Sequence, residues 1–241
     1  MKQQVGLDLA CVTAAILAGG LGTRLRTVVA DRPKVLAEVH GRPFVTYLLD
    51  QLIVAGVRDV VMCTGYRGEQ VRARLGDAYG ALRLAYSQES FPLGTAGALR
   101  LALPLVKSET VLVMNGDSWC DVNLRDAWAE HRARGASASL VVTEVEDTGR
   151  YGRVCLDAHG LVIRFEEKGA GTGWINAGLY FLSRRLLGTI PAGRPVSLER
   201  EMFPRWIGQG VSGVRVNRRF LDIGTPESYS MAERFFAQEQ G

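Results

Sequence analysis

Leu17-Ala18-Gly19-Gly20-Leu21-Gly22-Thr23-Arg24-Leu25-Arg26 is the stretch whose reading decides the fold. It follows a short apolar run, Ala14-Ala15-Ile16-Leu17, which reads as a buried strand. Three glycines, Gly19, Gly20 and Gly22, then fall in quick succession. A chain leaving a strand into such a loop can take positive φ and present bare backbone N–H groups. A concave row of N–H groups binds phosphate oxygens. Arg24 adds a planar fork of donors, and Lys34 adds a point charge further on. Two familiar phosphate loops are excluded. A P-loop needs Lys-Ser/Thr after its last glycine, where Thr23-Arg24 stands, and the dinucleotide fingerprint would need glycine where Leu25 stands. An ordinary glycine-rich strand-to-helix turn with a surface arginine stays open at this point.

Working outward, the chain of 241 residues is long enough for one α/β domain with a substantial core. With 47% apolar and 22% charged residues it has the composition of a globular protein. Its net charge of +4 suits an anionic substrate, but there is no basic block or aromatic-basic ladder to suggest nucleic acid. The cysteines (Cys11, Cys63, Cys120, Cys155) and histidines (His40, His131, His159) form no zinc spacing. No apolar leader and no long apolar run is present, so the expectation is a cytoplasmic protein with reduced thiols and no membrane association. Residues 1–11 lack a period and read as an N-terminal extension, with a single domain over 12–241.

Strand and helix patterns alternate: a helix over Phe44–Ala55, a strand over Val57–Thr64, a short helix over Glu69–Leu75 and a strand over Leu82–Ser87. A helix over Thr95–Leu103, a strand over Thr110–Asn115, a helix over Leu124–Arg134 between an Asn123 cap and a Gly135 stop, and a strand over Ala138–Val145 follow. Such alternation implies βαβ units in a mostly parallel, Rossmann-like sheet flanked by helices. After Glu146 the rhythm changes to short strands at Arg153–Leu156, Val162–Glu166 and Trp174–Leu182, which read as a small antiparallel insertion on the sheet's edge. A helix over Ser197–Gln209, a strand over Val211–Val216 and a last helix opened by Thr225-Pro226-Glu227 complete the chain.

Two acids stand at strand ends. Asp117 follows the strand ending at Asn115, and open α/β sheets bind ligands at the carboxyl ends of their strands. A carboxylate beside a polyphosphate is a natural Mg²⁺ ligand, although Gly-Asp-Ser is also a common turn. Asp222 follows a short strand, Arg219–Leu221, and precedes Ile223-Gly224-Thr225-Pro226, where a helix-start carboxylate is the plain alternative. Glu166-Glu167-Lys168 ends a strand as a charged triplet, whose usual meaning is a solvated face. Asn176-Ala177-Gly178 interrupts an apolar strand, as though a ligand approached its backbone. Gln88 and Leu93-Gly94-Thr95-Ala96-Gly97 form another glycine-marked helix entry, placed where it could meet a nucleobase.

In this order G-G-x-G-T-R-L, P-K, L-G-T-A-G, G-D, E-K, N-A-G and D-I-G-T-P resemble the sugar-phosphate nucleotidyltransferases, over Ala14 to Tyr229. Val113–Ser118, Asp147–Val154, Ile175–Gly178 and Ser197–Glu199 resemble the heptose 1-phosphate guanylyltransferase branch of that family, and Leu93–Leu99 also resembles the mannose-specific branch. The resemblance implies transfer of a nucleotidyl group from GTP to a sugar 1-phosphate, with Mg²⁺ as cofactor. It implies that Leu17, Gly19, Gly20, Gly22, Thr23 and Arg24 hold the triphosphate with Lys34, that Gln88, Gly94 and Thr95 face the base, and that Asp117 and Asp222 hold the metal. It also implies that Lys168 binds the sugar phosphate and that Gly152, Glu167 and Asn176 meet sugar hydroxyls. Gly169 stands where the family commonly has proline after E-K. The chain lacks the C-terminal β-helix of bifunctional relatives, so no acyltransferase activity is expected. A homodimer is the assembly expected.

Overall fold

The computed structural model describes residues 9–25, 27–166 and 171–237. Its strands of three or more residues are β1 (Thr13–Ala18), β2 (Asp59–Thr64), β3 (Leu82–Gln88), β4 (Thr110–Asn115), β5 (Ser118–Cys120), β6 (Ala138–Val145), β7 (Arg153–Leu156), β8 (Val162–Glu166), β9 (Gly173–Ser183), β10 (Val211–Val216) and β11 (Phe220–Asp222). The longer early helices are α1 (Val45–Ala55), α2 (Gly68–Leu75), α3 (Gly94–Ala102) and α4 (Leu124–Arg134). β4, β1, β2 and β3 lie side by side and parallel, with β1 paired to both β4 and β2. β1 reads as an unbroken apolar run because both its faces are covered. Ala14 and Ile16 enter the core beneath α1, and Ala15 enters the core beneath α3.

The element boundaries read from the sequence match these helices and strands closely. The Asn123 side chain accepts N–H bonds from Arg125 and Asp126, and Gly135 ends α4 with φ +58°. Three expectations are corrected. β7 and β8 do form an antiparallel edge hairpin, but β9 is no edge strand. It pairs with β4 on one side and β6 on the other, so the expected mostly parallel sheet flanked by helices stands, with this antiparallel strand inside it and not on its edge. Its residues 177–182 are buried, so this half had to lie inside the sheet. The expected Ser197–Gln209 helix is a π-turn at Leu198–Met202, one turn of α-helix at Phe203–Trp206 and a 3₁₀ turn, because Pro204 cannot continue the hydrogen-bond ladder. Leu9–Cys11, assigned to the extension, forms a 3₁₀ turn that buries Leu9 completely. No helix among the described residues is long and apolar enough to cross a membrane.

His131 illustrates what the core demands. It lies on α4, 4% exposed, stacked against Trp128 and Phe181, with Nδ1 2.8 Å from the Ser139 hydroxyl, which in turn meets Ser212. Burial pushes its pKa down to about 4. The neutral ring is the folded form, while an unfolded chain takes up a proton below about pH 6.5. Stability therefore falls as pH drops from about 6.5 to 4, by up to roughly 1.4 kcal/mol per pH unit. Thermal melts of wild type and His131→Gln across this window should show a shallower slope for the variant. Equal slopes would assign the acid sensitivity to other groups.

Candidate active site

The parallel strands end on one rim. β1 runs into Gly19, β2 into Gly65, β3 into Glu89 and β4 into Gly116-Asp117. A cavity of about 280 Å³ opens there, walled by the glycine loop, Lys34, Glu89, Gly94, Asn115 and Asp117. One contact draws the end of β4 onto the end of β1. The Gly116 N–H donates to the Leu17 carbonyl at 3.0 Å, and a Cβ on Gly116 would stand 2.6 Å from that oxygen. Only glycine permits this approach, and it sets Asp117 beside the glycine loop.

Gly22 sits at φ +59°, and the turn behind it is anchored by Leu25, 1% exposed, whose N–H returns to the Gly22 carbonyl. Leu17, Gly19, Gly20 and Gly22 all face the cavity. Thr23 and Arg24 are exposed and lie outside its wall, and Arg24 makes no hydrogen bond among the described residues. Lys34 lies just across the loop, its Cβ 3.4 Å from where a Gly22 side chain would begin. Its ammonium donates to Asp117 Oδ2 in an ion pair.

Asp222 reaches Asp117 by a route other than the expected one. It is not at the end of a strand of the main sheet. β11 pairs antiparallel with β5, placing Asp222 opposite Ser118, and the Ile223 N–H donates to the Asp117 carbonyl at 2.9 Å. The two carboxylates thus share one corner. Asp222 Oδ1 accepts the Gly224 N–H at 2.8 Å. Burial, and then the neighbouring Asp117 charge, push its carboxyl above the usual range, while Gly224, Lys34 and Arg150 oppose the shift. Two neighbouring carboxylates, Asp117 in the cavity wall and Asp222 folded against it, are an oxygen donor set that fits a hard divalent cation. No group of three or more His, Cys, Asp and Glu that could hold a metal occurs among the described residues, so phosphate and water would complete the shell.

Of the residues at the end of β3, the one that lines the cavity is Glu89 and not the expected Gln88. Gln88 is exposed and packs toward Gly68 at the start of α2, whereas Glu89 faces the cavity. Successive residues of a strand face opposite ways, so an offset of one changes the side chain presented. Glu89 Oε2 accepts the Leu93 N–H at 3.0 Å. Its Oε1 occupies the space beside two glycines, since a Cβ on Gly65 or Gly19 would stand 2.6 or 2.9 Å away. Burial pushes the Glu89 carboxyl up. The missed signal was the pairing of Glu89 with Gly94 and Pro92 in one cavity wall, which spacing alone does not show.

Gly94 (φ +70°) is required where the Val196 carbonyl approaches, 2.6 Å from a would-be Cβ. That carbonyl accepts the Ala96 and Gly97 N–H groups, so part of the α3 N-terminus is already satisfied. The Thr95 hydroxyl donates to Glu199 Oε2 and accepts the Leu198 N–H, fastening the π-turn to the cavity. Asn176 is likewise engaged: its Oδ1 accepts the Gly178 N–H and its Nδ2 donates to the Tyr180 hydroxyl. It holds the irregularity in β9 that opens space at Gly178 for the Asn115 side chain. Gly152 is exposed against the Glu166 carbonyl. Glu167 and Lys168 lie outside the described residues.

Rim, glycine loop and acid pair define a nucleotide-handling α/β protein, and the family follows from comparison. The nucleotidyl transferase family model matches residues 13–239, so the chain belongs to that family. It is 32% identical to D-glycero-alpha-D-manno-heptose 1-phosphate guanylyltransferase of Campylobacter jejuni, covering 90% of this chain and 96% of that one. It is 35% identical to mannose-1-phosphate guanylyltransferase of Mycobacterium tuberculosis, with 90% of this chain aligned but only 62% of that enzyme's length spanned. The crystal structure of HddC from Yersinia pseudotuberculosis complexed with GMP-PN superposes with a TM-score of 0.84 at 31% identity, covering 93% of this chain and 99% of HddC.

Proposed function

We propose that the protein is a sugar 1-phosphate guanylyltransferase that joins GTP to D-glycero-α-D-manno-heptose 1-phosphate, giving GDP-heptose and pyrophosphate. The observation that carries the reading is a single cavity holding the glycine loop, Lys34, Glu89 and Asp117, with Asp222 folded onto Asp117. The heptose acceptor is favoured over mannose because the heptose-specific relative aligns along nearly its whole length. Mannose 1-phosphate is the second acceptor to test, on the comparable identity to the mannose-specific relative.

The acceptor phosphate is already anionic, so no general base is needed. One of its oxygens bonds to the α-phosphorus of GTP while the bond from that phosphorus to the bridging oxygen breaks and pyrophosphate leaves with the electron pair. The chain's task is to bring two polyanions into line. Backbone N–H groups of Gly19–Gly22 and the Lys34 ammonium meet the triphosphate, with Arg24 reaching it from the loop's outer side. Asp117 and Asp222 would hold Mg²⁺, which supplies charge neutralisation at the phosphates. Glu89 accepts from the N1–H and 2-amino groups of guanine. Adenine presents an acceptor at N1, so the same carboxylate rejects it.

Pyrophosphate release measured over the common NTPs and sugar 1-phosphates tests the reading. GTP with the heptose 1-phosphate should give the highest kcat/KM. A preference for a pyrimidine triphosphate, or no turnover at all, would contradict it. Glu89→Gln should lower kcat/KM for GTP by roughly 10- to 150-fold, the worth of a hydrogen bond to a charged group, and narrow the gap to ATP. An unchanged GTP preference would remove Glu89 from base recognition. Asp117→Asn and Asp222→Asn should each cost orders of magnitude in turnover with little change in melting temperature. Because both act through one ion, the double variant should lose far less than the product of the singles. Multiplicative losses would show that they do not share it.

A further inference from the structure

The turn Asp147–Gly152 joins β6 to β7 beside the acid corner and is tied down firmly. Thr148, fully buried, donates both its N–H and its hydroxyl to the Gly171 carbonyl, at 3.2 and 3.1 Å. The Tyr151 N–H returns to the Thr148 carbonyl at 3.0 Å, and the Gly149 N–H is held by Asp147 Oδ1 at 2.8 Å. The Tyr151 ring meets Phe220 edge-on, with centroids 5.4 Å apart. Phe220 is in β11, the strand that ends at Asp222. The turn is therefore fixed to Gly171 through Thr148 and registered against the strand of Asp222 through Tyr151.

Arg150 is the residue this framework presents. Its Nη2 lies 3.7 Å from Asp222 Oδ1, an ion pair too long for a hydrogen bond. Among the described residues its guanidinium donates no hydrogen bond, although it lies within 5.5 Å of the Tyr151 ring centroid. A side chain serving only to offset Asp222 would close onto the carboxylate. Here a planar fork of five N–H donors stands beside the corner with none of them spent on another described residue. The acid pair is thus flanked by two cations: Lys34, from the turn that faces the glycine loop, on Asp117, and Arg150, from the β6–β7 turn, on Asp222.

We infer that Arg150 binds the phosphate of the acceptor sugar and fixes the oxygen that attacks the α-phosphorus. The inference rests on the proposed transfer to a sugar 1-phosphate. The triphosphate is met from the glycine-loop side by backbone N–H groups and Lys34. The second anion must enter against the same acid pair from another side and needs its own cation. A guanidinium matches phosphate bidentately, as an ammonium cannot.

Arg150→Gln and Arg150→Lys in the full chain test this. With the side chain 43% exposed, both variants should melt with the wild type. The KM for the heptose 1-phosphate should rise roughly 10- to 150-fold in Arg150→Gln, the worth of a hydrogen bond between charged groups, with the KM for GTP unchanged and Arg150→Lys recovering only part. Calorimetric titration without nucleotide gives a readout independent of turnover. Wild type should bind the heptose 1-phosphate more tightly than the unphosphorylated heptose, and Arg150→Gln should lose that difference. An unmoved acceptor KM, or a rise in the GTP KM alone, overturns the inference. A wild type inactive with every sugar 1-phosphate defeats the functional reading instead. The titration then still decides Arg150: an equal phosphate preference in wild type and variant, or none in either, overturns its role.

Discussion

The site depends on the approach of Gly116 to Leu17. An N–H bond of 3.0 Å with no room for a Cβ joins the end of β4 to the end of β1 at the point where one strand becomes the glycine loop and the other becomes Asp117. A parallel pair supplies the alignment, and glycine supplies the last ångström. The same logic recurs on the opposite wall, where Gly19 and Gly65 leave space for the Glu89 carboxylate and Gly94 leaves space for the Val196 carbonyl. The glycines of this rim therefore serve close packing of polar groups as much as backbone freedom.

Electrostatics then determine what the rim can hold. Two carboxylates in one corner repel, and burial adds to the cost, as the raised Asp222 carboxyl shows. The protein balances them with one cation from each flank, Lys34 and Arg150. Such a corner favours added positive charge, whether from these side chains or from a bound cation.

Much of this was legible in the sequence. The apolar runs, the Asn123 and Thr225 caps and the Gly135 stop mark their elements because each rests on a local rule of backbone hydrogen bonding. Asp117 and the loop glycines were identifiable because they lie just after parallel strands that share a rim, and Lys34 because it is a lone cation after the glycine loop. What was not legible depended on pairing across distance. The place of β9 inside the sheet follows from its partners β4 and β6, which its own period does not reveal. Asp222 reaches the corner through a two-stranded ladder with β5. Gln88 and Glu89 differ only in which way the strand presents them, and Asn176 spends its amide within the fold on Gly178 and Tyr180.

The central claim is that Asp117 and Asp222 form one cation site completed by the nucleotide. Electron paramagnetic resonance of Mn²⁺ titrated into the full chain, with and without a non-hydrolysable GTP analogue, tests it most directly. The account predicts weak Mn²⁺ binding by the protein alone, a marked tightening when the analogue is added, and loss of that tightening to a similar extent in Asp117→Asn and in Asp222→Asn. Retention of wild-type, nucleotide-dependent Mn²⁺ binding by either variant would contradict it.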